Sequence, residues 1–120
     1  KWFIALEQGK VVDQESSLEL KRLMYMTDRR IRYGASPQLN DAAVYFKSGS
    51  FYSGGGAKYA GTKFNFMNSV CIVEHPSGVN YIVCLESNIL GKNSAGDHMY
   101  LASAIDKAIK KKYEVTEEKE

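Results

Sequence analysis

The residues best suited to chemistry in this sequence form one tetrapeptide, Lys47-Ser48-Gly49-Ser50. It follows a short apolar run at 42–46 that is rich in strand-forming residues, so we expect it at the end of a strand. Lys47 supplies a cation, Ser48 a hydroxyl, and Gly49 a backbone that another group can approach closely. The Ser50 backbone N–H could donate to a developing oxyanion. An anionic substrate could therefore dock antiparallel along this strand edge, although an ordinary strand end that runs into a loop has the same residues.

Cys71 and His75 are a second candidate pair, for a cysteine nucleophile with a histidine base. Four residues of a strand span about 13 Å, so these two side chains cannot form a hydrogen bond. We expect His75 at the surface beside a turn, and His98 either at the surface or as a capping residue near the start of a helix. The chain has two His and two Cys, none at the spacing of metal ligands. The sequence therefore predicts no metal site and indicates no cofactor.

Arg29, Arg30 and Arg32, with Tyr25 and Tyr33 beside them, could form a basic aromatic patch for nucleic acid. Arginines at the C-terminal end of a helix have a plainer explanation, because the helix dipole and the solvent stabilise cations there. The 16 Lys and Arg against 14 Asp and Glu give a formal net charge of +2. This balance does not indicate a nucleic-acid partner, and we expect none.

Three consecutive glycines, Gly54 to Gly56, do not form a phosphate-binding loop, because neither a Lys-Ser or Lys-Thr pair nor a helix follows at the required spacing. They predict a flexible connector between two strands. The sequence leaves open whether this connector is natural or an engineered shortening of a longer loop.

Two helices are predicted before the tetrapeptide. The first ends at Gly9, which suits a left-handed C-terminal cap. The spacing of its apolar residues is typical of the last turns of a helix whose start is missing. The second spans about 17–28 and begins with a capping box formed by Ser16 and Glu19. Its buried stripe follows the helical period and consists of Leu20, Leu23, Met24 and Thr27.

Two more strands are predicted after the glycines, at about 64–74 and 79–87. A tight turn with Ser77 and Gly78 at its centre would join them into a hairpin. This turn places Cys71 directly opposite Cys84. A disulfide is possible if the two residues form a pair that is not hydrogen-bonded, and two small buried thiols are the other interpretation.

A terminal helix is predicted from Asp97, with three lysines in its last turn, where the helix dipole favours cations. Its buried stripe is predicted at Leu101, Ile105, Ala108 and Ile109. The tail at 114–120 is expected to be frayed. Together these elements predict an α+β class, in which an antiparallel β-sheet meander is flanked by helices in a single domain over 1–120. No apolar run approaches the roughly 20 residues of a transmembrane segment, so we expect none.

The order of these elements resembles the C-terminal half of the serine β-lactamase and penicillin-binding-protein family, of the class A type. Members of that family carry Lys-Thr-Gly or Lys-Ser-Gly on the third strand of a five-stranded antiparallel sheet. The next two strands form a hairpin, and a long C-terminal helix packs on the sheet. The resemblance covers essentially the whole chain, and its only short motif with catalytic meaning is Lys47-Ser48-Gly49.

The resemblance implies a role for each residue of this site. Lys47 would steer the substrate carboxylate and assist proton transfer, and Ser48 would donate a hydrogen bond to the same carboxylate. Gly49 would permit close approach, and the Ser50 N–H would form half of the oxyanion hole. Asn68 would lie beside these residues on the neighbouring strand.

The chain also departs from the family pattern. The family nucleophile is the serine of a Ser-x-x-Lys motif, which is absent, since Ser17 and Lys21 are one residue too far apart. Neither Ser-Asp-Asn nor Tyr-x-Asn occurs. Because acyl transfer needs a nucleophile beside a base, we expect this chain to be inactive alone.

The whole protein would then acylate its serine with a β-lactam or a peptidoglycan-type D-alanyl peptide. An N-terminal half of the same protein would be a partner of this chain, and the resemblance implies a periplasmic or secreted location. The alternative is a non-catalytic binding module on the same fold fragment, which would add a peptide strand to its sheet edge.

Overall fold

The computed structural model describes residues 1–26, 39–52, 64–89 and 95–113. Over these ranges the protein is α+β, with three antiparallel strands in the order β1-β2-β3 and helices on the sheet, which confirms the predicted class. In chain order the elements are α1 (Trp2–Glu7), α2 (Gln14–Tyr25), β1 (Ala43–Tyr52), β2 (Asn65–Glu74), β3 (Asn80–Asn88) and α3 (Ala95–Tyr113).

Several predictions concern segments outside the described residues. These are the stripe position Thr27, the arginines at 29–32, the glycines at 54–56 and the tail at 114–120. The predictions made for these segments stay predictions.

Helix α1 ends as its sequence predicts, at a left-handed glycine. Gly9 has φ +71°, its N–H donates to the Leu6 carbonyl at 3.1 Å, and the Lys10 N–H reaches back to the Ala5 carbonyl at 2.8 Å. These two bonds form a Schellman motif, which satisfies carbonyls at the end of the helix. Leu6 is fully buried against the sheet.

Helix α2 begins earlier than predicted, because Asp13 is its N-cap instead of Ser16. The Asp13 carboxylate accepts a hydrogen bond from the Ser16 N–H at 2.7 Å. Ser17 is buried, and its hydroxyl both accepts from the Val11 N–H at 2.9 Å and donates to the Val11 carbonyl at 3.1 Å. The predicted capping box is therefore wrong, because a carboxylate three residues upstream already caps the free N–H groups.

The hairpin between β2 and β3 has a three-residue loop, Pro76-Ser77-Gly78, instead of the predicted two-residue turn. Gly78 takes φ +89°, its N–H donates to the His75 carbonyl at 2.9 Å, and the His75 N–H donates to the Val79 carbonyl at 3.1 Å. This is a turn closed by a left-handed glycine. The longer loop moves the strand register by one residue from the predicted pairing.

The register change separates the two cysteines. Cys71 pairs with Val83 and Cys84 pairs with Val70, so the two thiols lie on opposite faces of the sheet. Cys71 is buried and Cys84 is exposed, and neither forms a disulfide. The predicted pairing of Cys71 with Cys84 is therefore wrong, and neither interpretation of it holds, because no disulfide joins the two residues and only one thiol is buried.

The two faces of the sheet carry separate apolar clusters. The cluster between the sheet and α3 consists of Leu39, Val44, Phe46, Cys71, Val73, Val83 and Ala102. The cluster between the sheet and the two N-terminal helices consists of Leu6, Met24 and Ile72. Side chains alternate between these faces, so even-numbered residues of β1 face α3 and odd-numbered ones face the other side.

The buried stripe of α3 differs from the predicted one. His98, Ala102 and Asp106 are buried, whereas Leu101 is 48% exposed and Ala108 is exposed. The buried residues follow a four-residue spacing, but two of them are polar and hydrogen-bonded, so a hydrophobic pattern does not find them.

We expect Val12→Gly to raise the free energy of unfolding by about 1 kcal/mol, measured by urea denaturation. Val12 is a β-branched residue at φ +63°, it is 90% exposed, and the Asp13 N–H bonds to the Val11 carbonyl around it. Lys10→Gly in the same connection is the control and should lower stability by up to about 1 kcal/mol. A gain in the control, or no gain at Val12, would contradict backbone strain at this residue.

We expect one thiol of the native chain to react with a maleimide, because only Cys84 is exposed. Intact mass should show a single adduct in buffer and two adducts in denaturant. Cys84→Ser should abolish the reaction of the native protein. A native Cys84→Ser chain that still reacts would contradict the burial of Cys71.

Candidate functional site

The tetrapeptide Lys47-Ser48-Gly49-Ser50 lies inside β1, which continues to Tyr52, and not at the end of the strand as predicted. β1 is an edge strand of the sheet. Among the described residues no strand pairs with its outer edge. Within the described ranges the site is therefore an open strand edge, with regular geometry on both sides of the tetrapeptide.

The pairing alternation identifies which backbone groups face this open edge. The His75 N–H and C=O bond to the β3 side of the hairpin, and the register from there is continuous. Hydrogen-bonded and non-hydrogen-bonded pairs alternate in antiparallel strands, so Lys47 and Gly49 bond to β2. The N–H and C=O groups of Ser48 and Ser50 therefore point outward. The Lys47 ammonium donates to the outward Ser48 carbonyl.

The side chains of the tetrapeptide divide between the two faces. Lys47 and Gly49 are exposed on the face of α1 and α2, and Ser48 is half-buried on the face of α3. A Cβ at Gly49 would meet no atom of the described residues within 4 Å. Asn68 pairs directly with Gly49 on β2 and is exposed. The structure thus places a cation and an amide on one face of this strand edge and a hydroxyl on the other, with the outward backbone groups between them.

An exposed aromatic row follows Gly49 on the same face. Phe51 and Phe66 pair across β1 and β2, and their ring centroids are 6.5 Å apart. Phe64 stacks on Phe66 with centroids 5.8 Å apart. A molecule that lies along the edge past Gly49 would meet an apolar surface.

A buried polar cluster lies beneath the site, on the α3 face. His98 is 4% exposed, so the expectation of a surface histidine is wrong. Its Nδ1 lies 2.8 Å from Ser69 Oγ, and its Nε2 lies 2.9 Å from Ser87 Oγ. Burial lowers the pKa of His98 below its ordinary value, and the nearby Asp97 opposes this in part. Ser69 pairs with Ser48 across the strands, so the cluster adjoins the tetrapeptide.

A second buried polar cluster joins α3 to the hairpin at the other end of the sheet. Asp106 Oδ1 lies 2.6 Å from His75 Nε2 and accepts from the Tyr81 hydroxyl at 2.6 Å, while Lys110 Nζ lies 3.3 Å from Asp106 Oδ2. His75 is 5% exposed, so the surface expectation is wrong here too. Burial and the bond to Asp106 raise the pKa of Tyr81 above its ordinary value.

This Asp106 cluster is structural and does not belong to the site. His75 is six residues along β2 from Ser69, a separation of about 20 Å in a strand. A carboxylate with no exposed surface is stable there only because cationic and hydroxyl partners surround it.

Lys21 also lies near the sheet, and its ammonium is already paired. Its Nζ lies 3.0 Å from Glu7 and 2.6 Å from Glu74, and it stands 4.5 Å from the centre of the Tyr45 ring. Burial alone would lower the pKa of Lys21, but the two carboxylates raise it above its ordinary value. Arg22, Tyr25 and other residues line a cavity of about 380 Å³ beside it. The ion pairs of Lys21 with Glu7 of α1 and Glu74 of β2 hold both N-terminal helices on the sheet.

Neither a metal site nor a membrane-spanning helix occurs in the described ranges. Within 1–26, 39–52, 64–89 and 95–113, no three His, Cys, Asp or Glu side chains come close enough to hold a metal ion. No helix in the same ranges is long and apolar enough to cross a membrane.

We expect Asp106→Ala to lower the free energy of unfolding by about 3 kcal/mol, because His75 and Tyr81 would lose their shared buried acceptor. Urea denaturation measures the loss. Asp41→Ala is the matched control, since Asp41 is 66% exposed and lies 3.7 Å from the other His75 nitrogen. It should cost less than about 1 kcal/mol. Equal losses in the two variants would contradict the central role of Asp106.

No family model matches this chain, and no curated protein matches it either. Its function must therefore be inferred from the geometry of the β1 edge and from the side chains around it.

Proposed function

We propose that this chain is the carboxylate-recognition part of a serine hydrolase that resembles β-lactamases and penicillin-binding proteins. The observation that carries the proposal is the open edge of β1, where the outward backbone groups of Ser48 and Ser50 adjoin the exposed ammonium of Lys47. Its substrates would be β-lactams or D-alanyl peptides, both of which present a carboxylate near an amide-like carbonyl. A periplasmic or secreted location belongs to the same proposal.

An extended substrate would lie antiparallel to β1. Its carboxylate would accept hydrogen bonds from the Lys47 ammonium and the Ser48 hydroxyl, and charge-assisted bonds of this kind are the strong ones. The carbonyl to be attacked would then lie near Ser50, two residues further along. The outward Ser50 N–H would donate to the oxygen of this carbonyl and stabilise the negative charge that develops on it.

The attacking serine would come from the N-terminal half of the intact protein. Ser17 does not supply it, because its buried hydroxyl is hydrogen-bonded to both the N–H and the carbonyl of Val11. Lys21 does not supply a free base, because Glu7 and Glu74 hold its ammonium. In the intact protein the serine oxygen would bond to the carbonyl carbon while the amine leaves, and water or another acceptor would release the product.

The open edge also favours the second candidate function, a non-catalytic module that binds a peptide by strand addition. Outward N–H and C=O groups form a template for another strand. The two functions differ in what they require of Lys47. Strand addition relies on the backbone, whereas carboxylate recognition relies on the ammonium.

We expect Lys47→Ala to weaken the binding of acetyl-D-alanyl-D-alanine about 10- to 100-fold, because a charge-assisted hydrogen bond is lost. Titration followed by ¹H–¹⁵N NMR of this chain measures the affinity. Lys10→Ala removes an exposed lysine of the connection between α1 and α2, outside the tetrapeptide, and is the control. Binding that is unchanged in Lys47→Ala would contradict carboxylate recognition and favour strand addition.

The same protein sample tests the prediction that this chain has no nucleophilic serine. Incubation with benzylpenicillin should leave the intact mass of this chain unchanged. A covalent adduct on the chain would show that it has its own acylated serine.

A further inference from the structure

The Ser69–His98–Ser87 cluster has a defined arrangement of protons. The Ser87 hydroxyl donates to the Met67 carbonyl at 3.1 Å, so its oxygen is left to accept from His98 Nε2–H at 2.9 Å. His98 Nδ1 then carries a lone pair, and it accepts from the Ser69 hydroxyl at 2.8 Å. Burial of His98 favours this neutral imidazole.

Ser69 connects this cluster to the proposed substrate site. It is the register partner of Ser48, and both side chains lie on the face that α3 covers. The alternation of the ladder makes Ser48 and Ser69 a non-hydrogen-bonded pair, whose Cα atoms are about 4.5 Å apart and whose side chains approach most closely. A rotation of the Ser48 side chain about its χ1 bond therefore brings its oxygen toward that of Ser69, which stays bonded to His98.

We propose that His98 is a positioning residue for Ser48 and that it acts through the hydroxyl of Ser69. The proposal rests on the proposed function, because it concerns the hydroxyl that would bind the substrate carboxylate. Ser69 has one proton, and the charge of His98 decides where that proton points.

The two protonation states of His98 give two arrangements. With neutral His98 the proton of Ser69 is held by Nδ1, and the Ser69 oxygen can accept from Ser48, which turns the Ser48 proton inward. When Nδ1 takes a proton from solvent, the Ser69 oxygen must accept from it. The Ser69 proton then donates to the Ser48 oxygen, and the Ser48 proton is free to donate to a carboxylate at the edge. Carboxylate affinity should therefore rise as pH falls through the pKa of His98.

The charged and titratable groups around His98 are compatible with a change of its protonation state. Asp97 precedes it on α3 and favours the protonated form. On the α3 face, β2 carries Ser69 and the buried thiol of Cys71, and β3 carries Leu85 and Ser87, so neither strand places an Asp, Glu, Lys or Arg at these positions. On β1 the neighbouring cation, Lys47, lies on the opposite face of the sheet.

The first test needs no ligand. A pH titration from 8 to 4.5 by NMR would follow the His98 ring protons and the Ser48 amide. We expect the Ser48 amide to titrate with the midpoint of His98 in the native chain and in Ser69→Thr, which keeps the hydroxyl. In Ser69→Ala the ring should still titrate while the Ser48 amide does not. A Ser48 response that persists in Ser69→Ala, or that is absent from the native chain, overturns the proposal.

The second test uses acetyl-D-alanyl-D-alanine at two pH values, one unit above and one unit below the His98 midpoint that the first test measures. We expect about two- to tenfold tighter binding at the lower pH, the value of one hydrogen bond, and no such change in Ser69→Ala or His98→Gln. Ser69→Thr should restore the pH response, which a merely destabilised variant would not do. Lys47-dependent binding with equal affinity at both pH values overturns the role of His98 and leaves the proposed function standing. Absence of binding at both values overturns the proposed function, and the titration of Ser48 then decides the coupling by itself.

Discussion

The register of the hairpin is the constraint on which the rest of the structure depends. A three-residue loop closed by the left-handed Gly78 makes Cys71 the partner of Val83. That one choice decides which side chains of β2 and β3 meet α3 and which backbone groups β2 offers to β1. The outward direction of the Ser48 and Ser50 backbone groups follows from it, because the ladder alternates without interruption from the loop to the edge.

Helix α3 is attached to the sheet at two polar points on either side of an apolar centre. Ala102 packs in the cluster of Val44 and Phe46 between them. Near one end, Asp106 receives hydrogen bonds that join the hairpin to the helix. Near the other, His98 bridges β2 and β3. Buried hydrogen bonds of this kind add directional information that apolar packing alone does not provide, so they fix how far α3 lies along the sheet.

The α+β class, the three strands and the cap at Gly9 were predictable, because hydrophobic periodicity and glycine geometry are local properties of a sequence. The hairpin register was not, since Ser77-Gly78 fits a two-residue turn as well as the three-residue loop that occurs. His98 and Asp106 resemble surface residues until their partners on distant strands are known. One signal was present: both stand four residues from Ala102, on the same helical stripe. The tetrapeptide was found from its residue types, but its position in an edge strand depends on the order of the sheet.

Gly49 has an energetic consequence for β1. Glycine in a strand interior loses more conformational entropy on folding than other residues, and this costs about 0.5–1 kcal/mol relative to alanine. Within the described part of the chain nothing requires that cost, since a Cβ at this position would meet no atom within 4 Å. The strand is therefore less stable here than its own packing would allow. Under the proposed function, glycine at this position would let the substrate lie directly against the backbone of the strand.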